Sequence, residues 1–175
     1  MKVPALSKDI LEFLALMAKH RVQYVIVGGE AVIYHGHARL TGDVDIFYAR
    51  SSPNALRLWG VLAEFWGGKV PSVESVADLQ NGSKVFRFGA PPNRIDLMSA
   101  IDGVSFAAAW RGRSTVRVVT HGGTALHLHY MGLREMIRNK RAAGRDKDRD
   151  DLRYLVEAKG ARKAKGARPP EERRR

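Results

Sequence analysis

The chain has 175 residues and no cysteine, which suits one ordinary domain whose core needs no disulfide and excludes thiolate zinc sites and cysteine nucleophiles. Hydrophobic residues make up 45% and charged residues 27%, a globular composition and not a disordered or fibrous one. The formal net charge is +12, and half of that excess sits in residues 159–175, so polyanionic partners (nucleotides, nucleic acid, an acidic protein) are favoured, with a merely solubilising tail as the plain alternative.

The N-terminal stretch carries a short apolar run broken by Glu12 and no small-residue cleavage site, so it reads as a helix and not a signal peptide. Ser7 to His20 is predicted to be that helix, with Ser7 as N-cap and Ile10, Leu11, Phe13, Leu14 and Met17 at helical spacing. Gln23 to Val27 is apolar and β-branched, a buried strand that stops at Gly28-Gly29. Glu30 to Tyr34 returns to a helical pattern, and His37 to Gly42 is a polar loop. Asp43 to Tyr48 is a strand. Pro53 to Trp66 is a helix, with Leu56, Trp59, Leu62, Ala63 and Trp66 expected on one core face.

Residues 69–83 read as loop. Lys84 to Phe88 and Arg94 to Met98 are two strands joined by a hairpin-like connection, Ser105 to Trp110 is a short helix, and Thr115 to Val119 is a further strand. His127 and His129 alternate near a strand, without the third ligand that a zinc site would need. Leu133 to Ala143 and Lys147 to Lys159 are helices separated by Gly144. The pattern makes an α/β (α+β) domain over residues 1–158, a mixed central sheet flanked by helices with further helices at the C-terminus. Residues 159–175 are expected to form a disordered basic tail. No run approaches the ~18 apolar residues of a membrane span, and a cytoplasmic protein is expected.

Three features carry chemistry. Gly28-Gly29 stands between a strand and a helix, where the backbone can approach a phosphate closely, although glycine pairs also simply make tight turns. Asp43 and Asp45 lie at i and i+2 of a strand, so their side chains share one face. Two carboxylates that close repel unless a cation compensates, and carboxylates with substrate phosphates are the usual ligands of Mg²⁺. Asp96 lies inside an apolar strand; paired beside the first, it adds a third carboxylate to that face, as phosphoryl and nucleotidyl transfer require. Its plain alternative is an edge-strand acid paired with Arg94 or Arg87. His35 and His37 flank a glycine beside this region, and a loop-stabilising hydrogen bond is the favoured role for them over metal binding.

The run from Gly28 to Asp45 (GGEAVIYHGHARLTGDVD) resembles the nucleotidyltransferase superfamily related to DNA polymerase β, in which a glycine-containing pair precedes an Asp-x-Asp metal motif and a third acid follows on a later strand. It looks most like small bacterial nucleotidyltransferases, including toxins of the AbiEii type. The segment Leu133 to Leu152 (LREMIRNKRAAGRDKDRDDL) is similar to the C-terminal Lys…Arg…Asp-x-x-Asp-Leu motif of those toxins. The resemblance covers residues 20–155.

The resemblance implies a nucleotidyltransferase-like fold. It also implies a Mg²⁺- or Mn²⁺-dependent enzyme that moves a nucleoside monophosphate from an NTP to an acceptor hydroxyl. Gly28 and Gly29 would cradle the triphosphate, and Asp43, Asp45 and Asp96 would hold the metal, with Asp96 also assisting deprotonation of the acceptor. Arg39 and Thr41 would contact phosphates or fix their loop. Lys140 would neutralise triphosphate charge, Asp148 would orient the basic residues, and Arg145 would be a second phosphate contact. Two departures stand out: the second glycine replaces a serine hydroxyl, and Glu30 places an acid at the helix start. The basic excess favours RNA, a tRNA end in particular, as acceptor, with an antitoxin as possible partner. A protein acceptor, an antibiotic acceptor and a non-catalytic binding module are the alternatives.

Overall fold

Helix α1 (Lys8–Lys19) starts where Ser7 Oγ accepts a hydrogen bond from the Ile10 amide, and its apolar stripe Ile10, Phe13, Leu14 and Met17 is buried. The structure, a computed structural model, describes residues 6–120 and 122–166. Strand β1 (Tyr24–Val27) is buried along its whole length, as its four apolar residues require, and passes into α2 (Gly28–Tyr34) without an intervening loop. Gly28 makes that junction at φ +58°, a conformation in which a side chain is strained.

Strand β2 (Asp43–Tyr48) runs antiparallel to β1, with Val27 opposite Asp45. Helix α3 (Ser52–Phe65) follows, with Pro53 in its first turn. Its buried Asn54 accepts from the Gln23 amide at 2.7 Å and donates to the Gln23 and Ala49 carbonyls, which ties the start of β1 to the end of β2. Strands β3 (Val85–Phe88) and β4 (Arg94–Met98) form a hairpin, and β4 lies parallel to β2 with Asp45 opposite Asp96. After α4 (Phe106–Arg111) come β5 (Ser114–Val119) and β6 (Ala125–Tyr130), a second hairpin, with β6 parallel to β1. The six strands form one mixed sheet in the order β3-β4-β2-β1-β6-β5. Helix α5 (Leu133–Ala143) ends at Gly144, whose left-handed conformation turns the chain into α6 (Asp146–Gly166).

Strand parity places the layers. Ile26 is in register with Ile46 and Tyr130, and Tyr130 stacks on Tyr34 of α2 at 4.4 Å, so α2 covers that face. Val25 is in register with Phe47 on the other face, where Phe47 meets Phe106 of α4 edge-on at 5.3 Å. Asp43 and Asp45 share parity with Phe47, so the acids lie on the α4 side of the sheet.

Four expectations need correction. The glycine pair does not precede the second helix but forms its first turn. The buried stripe of α3 is Ala55, Leu58, Val61 and Leu62, one position removed from the expected face, and Leu56 is 62% exposed. His127 and His129 belong to a full strand, β6. The last helix continues past Lys159 to Gly166, in keeping with the helix-forming Ala, Lys and Arg of that stretch. Residues 167–175, the remainder of the expected tail, lie outside the described residues. Among the described residues no helix is long and apolar enough to cross a membrane.

Candidate active site

The adjacency of β2 and β4 decides the site. With Asp45 opposite Asp96 and Asp43 two residues back, three carboxylates from neighbouring strands converge, each offering an oxygen within 4.8 Å of the others. The condition set from sequence, that the Asp96 strand pair beside the Asp43–Asp45 strand, is met. Three hard oxygen donors on one strand face are the donor set that Mg²⁺ or Mn²⁺ takes.

Arginine compensates the acids in this geometry. Arg94 Nε donates to Asp96 Oδ1 at 2.9 Å, and its Nη2 forms a short contact with Asp43 Oδ2. Arg87, opposite Asp96 on β3, stands 3.5 Å from Asp96 Oδ2. The pairing of Asp96 with Arg94 and Arg87 is therefore present together with the carboxylate cluster. Strand β4 is one position in from the sheet edge and not the edge itself. Asp96 is 5% exposed, so a positive partner close by is a physical necessity.

The glycine pair makes room for the acids and their loop. A Cβ on Gly28 would fall 1.8 Å from Asp45 Oδ2, and one on Gly29 would fall 2.5 Å from Thr41 Oγ1 and 3.1 Å from Arg39 Nη2. Thr41 donates to Asp43 Oδ1 at 3.0 Å, which orients that carboxylate. Glu30, in the first turn of α2, is 7% exposed, and one of its carboxyl oxygens has no hydrogen-bond partner. Burial pushes its carboxyl up to about 7, with Asp43 and Asp45 adding to the rise and Arg39 opposing it.

Helices α5 and α6 close the other side with a buried ion network. Lys140, 3% exposed, lies 2.5 Å from Asp148 and 2.8 Å from Asp151. Asp148 also takes Arg145 at 2.9 Å, and Asp151 takes Arg39 at 3.1 Å. Burial raises the Asp148 carboxyl, but Lys140 and Arg145 together hold it below its ordinary value. Tyr154 donates to the Gly36 carbonyl at 2.7 Å, so α6 fastens the loop that carries Arg39 and Thr41.

A cleft of about 400 Å³ opens over these groups. Gly28, Gly29, Arg39, Thr41, Asp43, Asp45, Asp96, Lys140 and Arg145 all line it; of the residues to which the resemblance gives a catalytic or binding role, Asp148 is the one outside the lining, and Glu30, His35 and His37 lie outside it as well. His35 binds the Met131 carbonyl at 2.8 Å and serves its loop. His37 rests on the Tyr154 ring at 4.5 Å. Sequence reasoning passed over Asp151 as a site residue, although it lies three positions after Asp148 and so on the same helix face. It also passed over Asn139, which lines the cleft and donates to the Asp102 carbonyl at 2.9 Å.

A mixed sheet flanked by helices, with a glycine turn leading to paired acids and a third acid on the neighbouring parallel strand, is a nucleotidyltransferase-like α+β fold. Residues 5–156 match the model of a family described as nucleotidyltransferase of unknown function (DUF6036), and the chain belongs to that family. A search of curated proteins finds no match to it.

Proposed function

We propose that the cleft transfers a nucleoside monophosphate from an NTP to an acceptor hydroxyl. The acceptor oxygen forms a bond to the α-phosphorus, the bond from that phosphorus to the β-phosphate oxygen breaks, and pyrophosphate leaves. The observation that carries this reading is the convergence of Asp43, Asp45 and Asp96 at the end of the glycine turn. These three would hold Mg²⁺ or Mn²⁺, which when bound neutralises phosphate charge and lowers the pKa of the attacking hydroxyl.

The chain's own residues position and compensate. Arg145, the exposed cation of the α5–α6 wall, meets phosphate oxygens directly. Lys140 is buried between two aspartates, so it adds positive potential to the wall from a fixed place and does not reach out to a ligand. Arg39 and Thr41 hold the loop against Gly29, and Asp148 orients Lys140 and Arg145. Asp96 accepts the acceptor proton at a carboxylate oxygen once Arg94 moves aside. Preorganised charge and position supply most of the catalysis in such transfers.

The acceptor we favour is RNA, a tRNA end in particular, because the net charge of +12 suits a polyanion. A role as an AbiEii-like toxin held by a cognate antitoxin rests on the sequence resemblance. The test is incubation with each labelled NTP, Mg²⁺ and total tRNA or lysate, beside an Asp43→Ala/Asp45→Ala control. Label in RNA that the control loses supports the reading. Label in protein moves the acceptor to a polypeptide. Absence of both transfer and Mg²⁺-dependent NTP binding refutes the enzyme.

A further inference from the structure

A second cavity, of about 440 Å³, lies at the opposite end of β1, with Tyr24 on its wall where Val27 lines the acidic cleft. That separation is about 10 Å of strand. Its charged and ionisable lining is Arg21, Arg57, His127 and His129, with Trp110 and Tyr24 as aromatic walls, and among the described residues no aspartate or glutamate contributes. The nearby acid Glu64 is already held by Lys19 and His20, at 2.5 and 2.7 Å. Among the described residues neither Arg21 nor Arg57 is seen in an ion pair, and two cations that line one cavity favour an anion between them.

The local backbone is arranged for this. Arg21 follows the end of α1 at φ +55°, where the Val22 amide returns to the Met17 carbonyl at 2.9 Å. Glycine or asparagine fills that left-handed helix-end position at lower cost, and strain of this kind collects at binding sites. Arg57 Nη1 donates to the Arg21 backbone carbonyl at 3.3 Å, which ties Arg57 of α3 to the chain segment that carries Arg21, and both residues line the cavity. The ring of Trp110 lies 5.2 Å from His129, and His129 lies 5.7 Å from Tyr24, so the aromatic groups form one continuous wall, with the Arg113 guanidinium stacked 3.7 Å over the Trp110 ring as a further cation beside it. Burial, with Arg113 and His127 nearby, lowers His129 to about 4, so its imidazole is a neutral part of that wall at pH 7.

We propose that this cavity binds a nucleotide, with Arg21 and Arg57 holding the phosphate and the Trp110–His129 wall facing the base. A cation pair beside aromatic surface is the combination that single nucleotides and nucleic-acid strands share. The volume lies in the range of small-ligand pockets. The site depends on its own charges and not on the reading of the acidic cleft.

The experiment follows binding of a fluorescein-labelled single-stranded oligoribonucleotide by anisotropy across a salt series, with AMP as competitor. The proteins are wild type, Arg21→Ala/Arg57→Ala and Asp43→Ala/Asp45→Ala. The arginine variant is expected to bind about ten-fold more weakly, with a salt slope shallower by about 0.7, the value for one single-strand phosphate contact. The aspartate variant is expected to bind as wild type does. If AMP displaces the strand, the site takes a free nucleotide. If AMP fails while the arginine dependence remains, the site takes a nucleotide within a strand. In either case the Trp110 indole N–H signal shifts on addition of the bound species. Arg21 and Arg57 are exposed, so an unchanged unfolding midpoint verifies the variant's fold. Wild-type affinity and salt slope in the arginine variant overturn the proposal. A loss confined to the aspartate variant overturns it too, while leaving the catalytic reading in place.

Discussion

Replacing Lys140 with methionine separates a structural role for this residue from a direct phosphate contact. Lys140 is 3% exposed and serves two aspartates that are themselves 1% and 3% exposed. Met keeps most of the side-chain length and removes the charge, which leaves Asp148 and Asp151 buried with Arg145 and Arg39 as their remaining cations. Removing one partner of a buried pair costs about 3–5 kcal/mol. For a chain of this size that is a fall in Tm of roughly 6–20 °C. The loss depends on pH. The Asp148 carboxyl is held below its ordinary value in the fold, so its stabilisation is full above the unfolded value and disappears as pH falls through the folded one. The gap between Lys140→Met and wild type therefore narrows in acid. Lys140→Met/Asp148→Asn/Asp151→Asn, which withdraws the stranded charges as well, regains at least half of the loss. Urea unfolding of the three proteins at pH 7 and near pH 4 is the assay. A loss below about 1 kcal/mol at pH 7, with NTP binding abolished, would show Lys140 to be a phosphate ligand first and refute the reasoning.

Glu30→Gln tests the buried acid in α2. Its carboxyl is raised to about 7, so the wild type loses stability as pH climbs from about 4 to 7, while the variant does not. In the presence of a chelator the variant is expected to be more stable by up to about 3 kcal/mol at pH 8 and equal near pH 4, read from unfolding midpoints; parallel profiles would contradict this. Gly28→Ala puts a Cβ 1.8 Å from Asp45 Oδ2 at a left-handed φ and should cost about 1–3 kcal/mol, so an unmoved urea midpoint would disprove the close approach. Arg94→Met frees Asp43 and Asp96 from their guanidinium and should raise Mn²⁺ affinity about ten-fold in calorimetric titration, provided Arg94 and the cation compete for the same oxygens. Equal affinity would rule that competition out.

Local chemistry was legible from sequence where it depends on parity or on a single turn. Asp43 and Asp45 at i and i+2 can only share a face, and Ser7 sits where an N-cap is needed. Asp96 was legible only conditionally, because nothing local says that β4 lies parallel to β2 and in which register. The α3 face was misjudged because Leu56 and Trp59 are as apolar as Ala55 and Leu58, and what turns the helix is Asn54, a polar residue whose three backbone bonds have no hydrophobic signature. The Lys140–Asp148 relation was legible only through the family resemblance, and the Lys140–Asp151 pair escaped, because both depend on Gly144 reversing the chain between α5 and α6. The second cavity is assembled from α1, α3, α4, β1 and β6 and their junctions, and no single stretch of sequence announces it.

The bond from Tyr154 to the Gly36 carbonyl and the pair between Asp151 and Arg39 bear on the order in which the protein comes to life. Domains form from the N-terminus onward during synthesis. All three carboxylates are translated by residue 96, yet the loop bearing Arg39 and Thr41 waits for a clasp that is more than fifty positions further along. The nascent polypeptide thus carries its acids early and its finished cleft late, so that the cleft takes its final form only once α6 has been made.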